Sequence, residues 1–282
     1  MKVKIGDIEV VPLSDGIFRL DGGAMFGVVP KTLWSRVAPG DELNRITMSV
    51  TPLLIRTAGL NVLVDAGIGD KLPPKLVDIY AVERGAGLPG SLAALGLGPA
   101  DIDVVLMTHL HFDHAGGLTT VVDGIVRPVF PSARHLIRRG EWDDAMHPHA
   151  RSRASYFPEN YVPVQEAGLV EFIEEDGEVL PGVSVWRTGG HTAHHQIVRI
   201  DSQGQTGLYL ADLVPTAAHV PDPWIMGYDL YPMETLAAKQ RWLPEAVRGE
   251  YVIFFEHDPA LAAGVLREEE GRRYVEPLVS RP

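Results

Sequence analysis

Thr108-His109-Leu110-His111-Phe112-Asp113-His114-Ala115-Gly116-Gly117 places three imidazoles and one carboxylate within six residues, directly after the apolar run Ile102–Met107. A buried strand that ends in His-x-His-x-Asp-His reads as the mouth of a metal site. Nitrogen and oxygen ligands at this density suit zinc or a related transition ion. The segment holds three of the chain's eleven histidines, which argues against a chance polar loop.

Three more segments repeat the pattern of an apolar strand that ends in a ligand-grade residue. Val183–Trp186 leads to Gly189-Gly190-His191, Leu208–Ala211 leads to Asp212, and Val252–Phe255 leads to His257. Strand ends on one edge of a layered sheet converge, so residues far apart in sequence can share one site. The candidate ligands are therefore His109, His111, Asp113, His114, His191, Asp212 and His257. Five imidazoles and two carboxylates are too many for one tetrahedral ion and enough for two.

Composition narrows the class. The 282-residue chain is 45% hydrophobic and 22% charged, an ordinary globular balance. With no cysteine, disulfides and thiolate ligands are both excluded, so any metal is held by His and carboxylates, as in catalytic rather than structural sites. A net charge of −12 repels polyanions and disfavours a nucleic-acid substrate. No apolar run approaches the ~18–20 residues that span a bilayer, and the N-terminal residues lack the apolar core of a signal peptide. The expectation is a cytoplasmic protein with no membrane partner.

No repeat, low-complexity tract or linker interrupts the chain, and one domain over 1–282 is expected. Val3–Ile5, Ile8–Leu13 and Ile17–Leu20 read as strands broken by Asp-Gly and Gly-Gly turns, and residues 22–39 read as a loop. Met48–Arg56 and Asn61–Val64 read as a hairpin that turns at Ala58-Gly59. Leu88–Leu97 and Glu234–Val247 have helical spacing, the latter with Leu236, Trp242, Leu243 and Val247 on one side. Strands preceding helices in both halves predict an α/β fold of two sheets covered by helices.

With these residues in view, the chain resembles the metallo-β-lactamase-fold hydrolases from Asp65 through His257, with the ligands in the family's order. The resemblance implies a four-layer αβ/βα sandwich of two mixed sheets flanked by helices. It implies that His109, His111 and His191 hold one ion, that Asp113, His114 and His257 hold the other, and that Asp212 bridges both. Asp65 stands where the family carries an Asp that orients the ligands from behind, and His195 is expected in a similar supporting place. The implied cofactor is a pair of divalent transition-metal ions, zinc by expectation, with iron, manganese or cobalt compatible. A hydroxide bridging the two ions is the implied nucleophile, with Asp113 and Asp212 as the catalytic carboxylates.

Within the family, His-Leu-His-Phe-Asp-His-Ala-Gly-Gly is most similar to the N-acyl homoserine lactone lactonases, with methyl-parathion-hydrolase-like enzymes nearby. A lactone or related ester is the implied substrate, with side activity on aryl esters or phosphotriesters and a quorum-quenching role. One departure stands out: such lactonases often carry a Tyr three residues after the bridging Asp, and here that residue is Pro215. Tyr228 is the candidate replacement. Phe26, Trp34, His219, Trp224 and Met226 lie on the loops expected to line the substrate pocket, or else pack those loops or a homodimer interface. The rivals are a glyoxalase-II-like thioester hydrolase and a mononuclear iron oxidoreductase of the persulfide dioxygenase type using His109, His191 and Asp212.

Overall fold

The computed structural model describes residues 2–281 and divides into two compact units. One comprises residues 2–16 and 50–176, and the other residues 17–49 with the described residues from 177 onward.

The first unit is built on a seven-stranded mixed sheet in the order Val3–Ile5, Ile8–Pro12, Leu53–Thr57, Leu60–Val64, Val104–Leu106, Arg134–Arg138, Val170–Ile173. Its first four strands pair antiparallel and its last four parallel. Parallel neighbours need long crossovers. These hold the helices Pro74–Ile79, Gly87–Ala93, Phe112–Ala115, Arg139–Met146 and Val162–Glu166. The central strands are apolar on both faces, as a covered parallel sheet requires. Leu54, Leu63, Val105 and Ile137 pack with Leu88, Leu92, Trp142 and Tyr161 in one core.

The second unit carries a seven-stranded sheet in the order Gly177–Leu180, Val183–Arg187, Gln196–Ser202, Gln205–Tyr209, Val252–Phe254, Leu261–Glu269, Arg272–Ser280. Only Gln205–Tyr209 and Val252–Phe254 pair parallel, and their crossover holds the helix Pro232–Arg248. That helix buries Thr235, Ala238, Lys239, Trp242, Leu243 and Ala246, a stripe at helical spacing. The stripe is rotated from the expected one: Leu236 is only half-buried, and Ala238 with Ala246 takes the inner face.

The expected hairpin from Met48 is divided. Arg45–Ser49 pairs with Ile17–Asp21 in a separate two-stranded sheet, and a new strand begins only at Leu53, after Pro52. The expected loop at 22–39 contains two short helices, Gly22–Phe26 and Lys31–Trp34.

His135 lies in the strand Arg134–Arg138, fully buried. Its Nδ1 donates to the Ala133 carbonyl, and its Nε2 is buried with no partner among the described residues. Burial pushes its pKa down to about 4. The unfolded chain therefore binds this proton near pH 6.5 and the folded chain only near 4, so stability falls as pH drops through that window. The contribution is up to about 3 kcal/mol. His135→Leu is expected to flatten this part of the acid limb in urea melts run between pH 7 and 4. An unchanged slope would refute the assignment.

Candidate metal centre

The expected ligands fall into two sets, one on each unit. On the first unit, Asp65 follows the strand Leu60–Val64 and turns the chain with a left-handed backbone, φ 56°. That conformation is costly for a side-chain-bearing residue and concentrates at functional positions. Its fully buried carboxylate accepts from Thr108 N and Thr108 Oγ1 at 2.8 Å each, and from His114 Nδ1 at 2.9 Å. Because the Thr108 hydroxyl donates to Asp65, it is an acceptor for His109 Nδ1 at 3.1 Å. Both imidazoles thus carry their proton on Nδ1 and present the Nε2 lone pair.

The turn that bears the motif is held from two further sides. Glu141, buried on the helix Arg139–Met146, accepts from Leu110 N at 3.0 Å and Tyr156 OH at 2.9 Å. Burial first, then the Glu141 carboxylate, raises the Tyr156 pKa, so the phenol stays a neutral donor. Its ring meets His111 edge-on, centroids 4.9 Å apart. Gly116 and Gly117 lie against the Ala66–Ile68 backbone so closely that a Cβ at either would overlap a carbonyl oxygen. The rings of His109 and His111 are 4.6 Å apart, and those of His109 and His114 4.0 Å. Asp113 lies in the first turn of the short helix Phe112–Ala115, its carboxylate 3.9 Å from His114 Nε2. Phe112 stacks on Tyr80 and meets Phe157 edge-on, an apolar wall beside the motif.

On the second unit, Gly189 and Gly190 take positive φ before His191, and a Cβ on Gly190 would overlap the Thr235 hydroxyl. His191 Nδ1 is 3.0 Å from Asp229 Oδ1, and Asp229 Oδ2 accepts from Thr235 Oγ1 at 2.7 Å. His257 Nδ1 donates to the Ser49 carbonyl at 2.8 Å, while the Pro215 carbonyl accepts from His257 N. The Asp212 carboxylate addresses both rings: Oδ2 is 3.0 Å from His191 Nε2 and Oδ1 is 3.1 Å from His257 Nε2. His195 lies behind it, accepting from Asp212 N through Nε2 at 3.2 Å while Nδ1 meets Thr188 Oγ1.

The donor set fits metal ions. Four of the five imidazoles have Nδ1 tied to an oxygen, the arrangement that fixes a metal-binding tautomer. Zinc bonds of about 2.0–2.2 Å would set neighbouring tetrahedral ligand atoms roughly 3.3 Å apart, close to the two Asp212 contacts. Burial alone would depress the His191 pKa, but the Asp212 and Asp229 carboxylates raise it, so this cluster attracts a cation.

Phe26 stacks between Trp34, 5.4 Å away, and His219, 4.6 Å away, with Trp224 edge-on at 5.6 Å. Phe26, Trp34, His219 and Met226 are buried, Trp224 is half-buried and Tyr228 is exposed. His219 is fixed by Thr216 Oγ1 and the Met25 carbonyl. The buried Lys239 ammonium donates to the carbonyls of His219, Pro221 and Trp224 and anchors this loop.

Glu141, Tyr156, Asp229 and the Ser49 carbonyl were not among the sequence-based candidates. Asp229 lies 38 residues from the ring it orients, and no periodic pattern marks it.

Residues 47–257 match the metallo-beta-lactamase superfamily. The N-acyl homoserine lactonase of Bacillus thuringiensis is 29% identical over 241 residues, covering 79% of this chain and 86% of its own. The N-acyl homoserine lactonase AttM of Rhizobium radiobacter is 24% identical over 191 residues, covering 65% and 69%. A solved structure of a probable metal-dependent hydrolase from Staphylococcus aureus has a TM-score of 0.92 at 36% identity, covering 99% of both chains. That of AidC, described as a dizinc quorum-quenching lactonase in complex with a product, has a TM-score of 0.80 at 21% identity, covering 99% and 97%.

Proposed function

This chain belongs to the metallo-beta-lactamase superfamily and is a metal-dependent hydrolase, and we propose that it opens lactones of the N-acyl homoserine lactone class. The observation that carries the reading is the Asp212 carboxylate, which turns one oxygen to His191 and the other to His257. A carboxylate so divided suits a bridge between two ions. In this proposal His109, His111 and His191 hold one ion, and Asp113, His114 and His257 the other, as the family's ligand order assigns them. Zinc is the expected metal.

Two such ions would lower the proton affinity of a water and polarise the substrate carbonyl. The chain's own groups do the rest. Asp65, Asp229, Thr108 and the Ser49 carbonyl keep the imidazoles in the binding tautomer. As the carbonyl carbon gains the water oxygen and the ring C–O bond breaks, Asp113 carries the released proton to the departing alkoxide. Phe112, Tyr80 and Phe157 offer apolar contact for an acyl chain. The exposed Tyr228, next to Asp229, replaces the phenol missing at Pro215 as donor to the substrate carbonyl. Phe26, Trp34, His219 and Met226 support that loop. Slower turnover of aryl esters and phosphotriesters is part of the same proposal, as is a quorum-quenching role.

The glyoxalase-like reading needs a basic region late in the chain. Arg267 is engaged by Glu250 and Glu276, and Arg273 by Asp222 and Glu268. Among the described residues, no helix is long and apolar enough to cross a membrane.

Metal quantification followed by a substrate panel tests the proposal. The expected result is two ions per chain and ring opening of N-acyl homoserine lactones in a pH-stat. One iron per chain with oxygen consumption, or turnover confined to thioesters, would overturn it.

A further inference from the structure

We propose that the unit formed by residues 2–16 and 50–176 carries a second small-molecule site, a cavity that takes an uncharged acyl amide by its apolar tail and single carbonyl oxygen. This goes beyond the lactone-opening reading and does not depend on it.

The cavity encloses about 380 Å³, within the range of ligand sites. Leu88, Leu92, Val122, Val129 and Phe130 give it apolar walls. Val122 belongs to the hairpin of Thr119–Val122 and Ile125–Pro128, where Val121, Val122 and Ile125 are all exposed. An exposed apolar strip that continues into an apolar cavity suits a hydrocarbon tail.

The polar lining selects the head group. Asp15 is buried, and its oxygens accept from Gly69 N at 2.9 Å and Leu88 N at 2.7 Å. Asp70 accepts from Thr120 Oγ1 at 2.7 Å, and the Thr119 hydroxyl donates to the Glu159 carbonyl. These groups are satisfied within the protein. Arg84 differs. One of its terminal nitrogens reaches Asp15 at 3.4 Å, but its Nε is buried with no acceptor among the described residues. The side chain is one-third exposed, so a ligand oxygen meets the guanidinium at its terminal N–H groups, which the long Asp15 contact holds only loosely. The lining sets one positive charge, Arg84, against two negative ones, Asp15 and Asp70. A carboxylate ligand would add a third negative charge, and a cationic amphiphile would bring no acceptor. An amide supplies the oxygen without the charge.

The test uses the whole metal-loaded chain with labelled Leu and Val methyl groups, titrated with octanamide and followed by NMR. Saturable shifts are expected at Leu88, Leu92, Val122 and Val129, with octanoate binding more weakly and octyltrimethylammonium producing no shifts there. Arg84→Leu is expected to weaken octanamide by about tenfold, the loss of one hydrogen bond from the guanidinium. Leu92→Trp is expected to fill the cavity and abolish the shifts while the thermal melt stays cooperative. Should Leu92→Trp not fold, the wild-type titration and Arg84→Leu decide alone. Absence of saturable shifts at these methyls overturns the proposal. So does tighter binding of octanoate or of the cation, or unchanged octanamide affinity in Arg84→Leu.

Discussion

Asp212→Ala is expected to lower kcat/KM for lactone opening by at least about a thousandfold, equivalent to roughly 4 kcal/mol of lost transition-state stabilisation. Its metal content is expected to fall below two ions per chain. The side chain addresses both His191 and His257, at 3.0 and 3.1 Å. Both rings keep their other anchors in the variant, Asp229 for His191 and the Ser49 carbonyl for His257. The backbone N–H of residue 212 keeps its partner at His195 Nε2. Asp212→Asn separates charge from shape: its one acceptor oxygen can serve one side only, so one tightly held ion is expected in place of the two proposed for the native chain. Elemental analysis after chelator dialysis and reloading, combined with initial rates, reads both effects. A variant with two ions and activity within tenfold of the native chain would remove Asp212 from the proposed bridging role.

Most of this candidate site could be read in the sequence because its segments follow apolar strands, and strands are what hydrophobic patterning reports best. Asp65, His109, His191, Asp212 and His257 all follow such runs, and the last two come just after the strands that pair parallel in the second unit. What stayed hidden is held by tertiary contact. Asp229 and Glu141 sit in segments with no period of their own, and each matters through one hydrogen-bond partner far away in sequence. A backbone carbonyl such as that of Ser49 has no residue type to announce it. The hairpin of Leu261–Glu269 and Arg272–Ser280 was hidden by composition. Its charged run, Arg267 to Arg273, reads as a polar surface segment. In the fold those residues pair across the two strands, with Glu270 and Gly271 at positive φ in the turn. The division of Met48–Arg56 into two strands depends on partners that local pattern does not specify.

Asp65→Ala is expected to destabilise the metal-free chain by about 3–5 kcal/mol and to weaken metal binding by about 10–100-fold. The first figure follows from three donors left without their acceptor in a fully buried place: Thr108 N, Thr108 Oγ1 and His114 Nδ1. A buried backbone N–H that loses its partner carries the full desolvation penalty, whereas the hydroxyl can rotate and recover part of the loss. The second figure follows from the chain of orientation. Asp65 holds His114 directly and His109 through the Thr108 hydroxyl, so one carboxylate sets the tautomer of two candidate ligands. The left-handed φ of 56° at residue 65 is not relieved, because Ala tolerates that conformation less well than Asp. Asp65→Asn is the informative companion. Its amide oxygen can accept from Thr108, but its NH2 group faces the remaining donor, so metal affinity is expected to suffer more than fold stability. Urea unfolding of the metal-free protein and chelator competition on the loaded protein measure the two losses separately. If Asp65→Ala unfolds within 1 kcal/mol of the native chain and binds its ions as tightly, the carboxylate merely fills space at the strand end and does not orient the ligands.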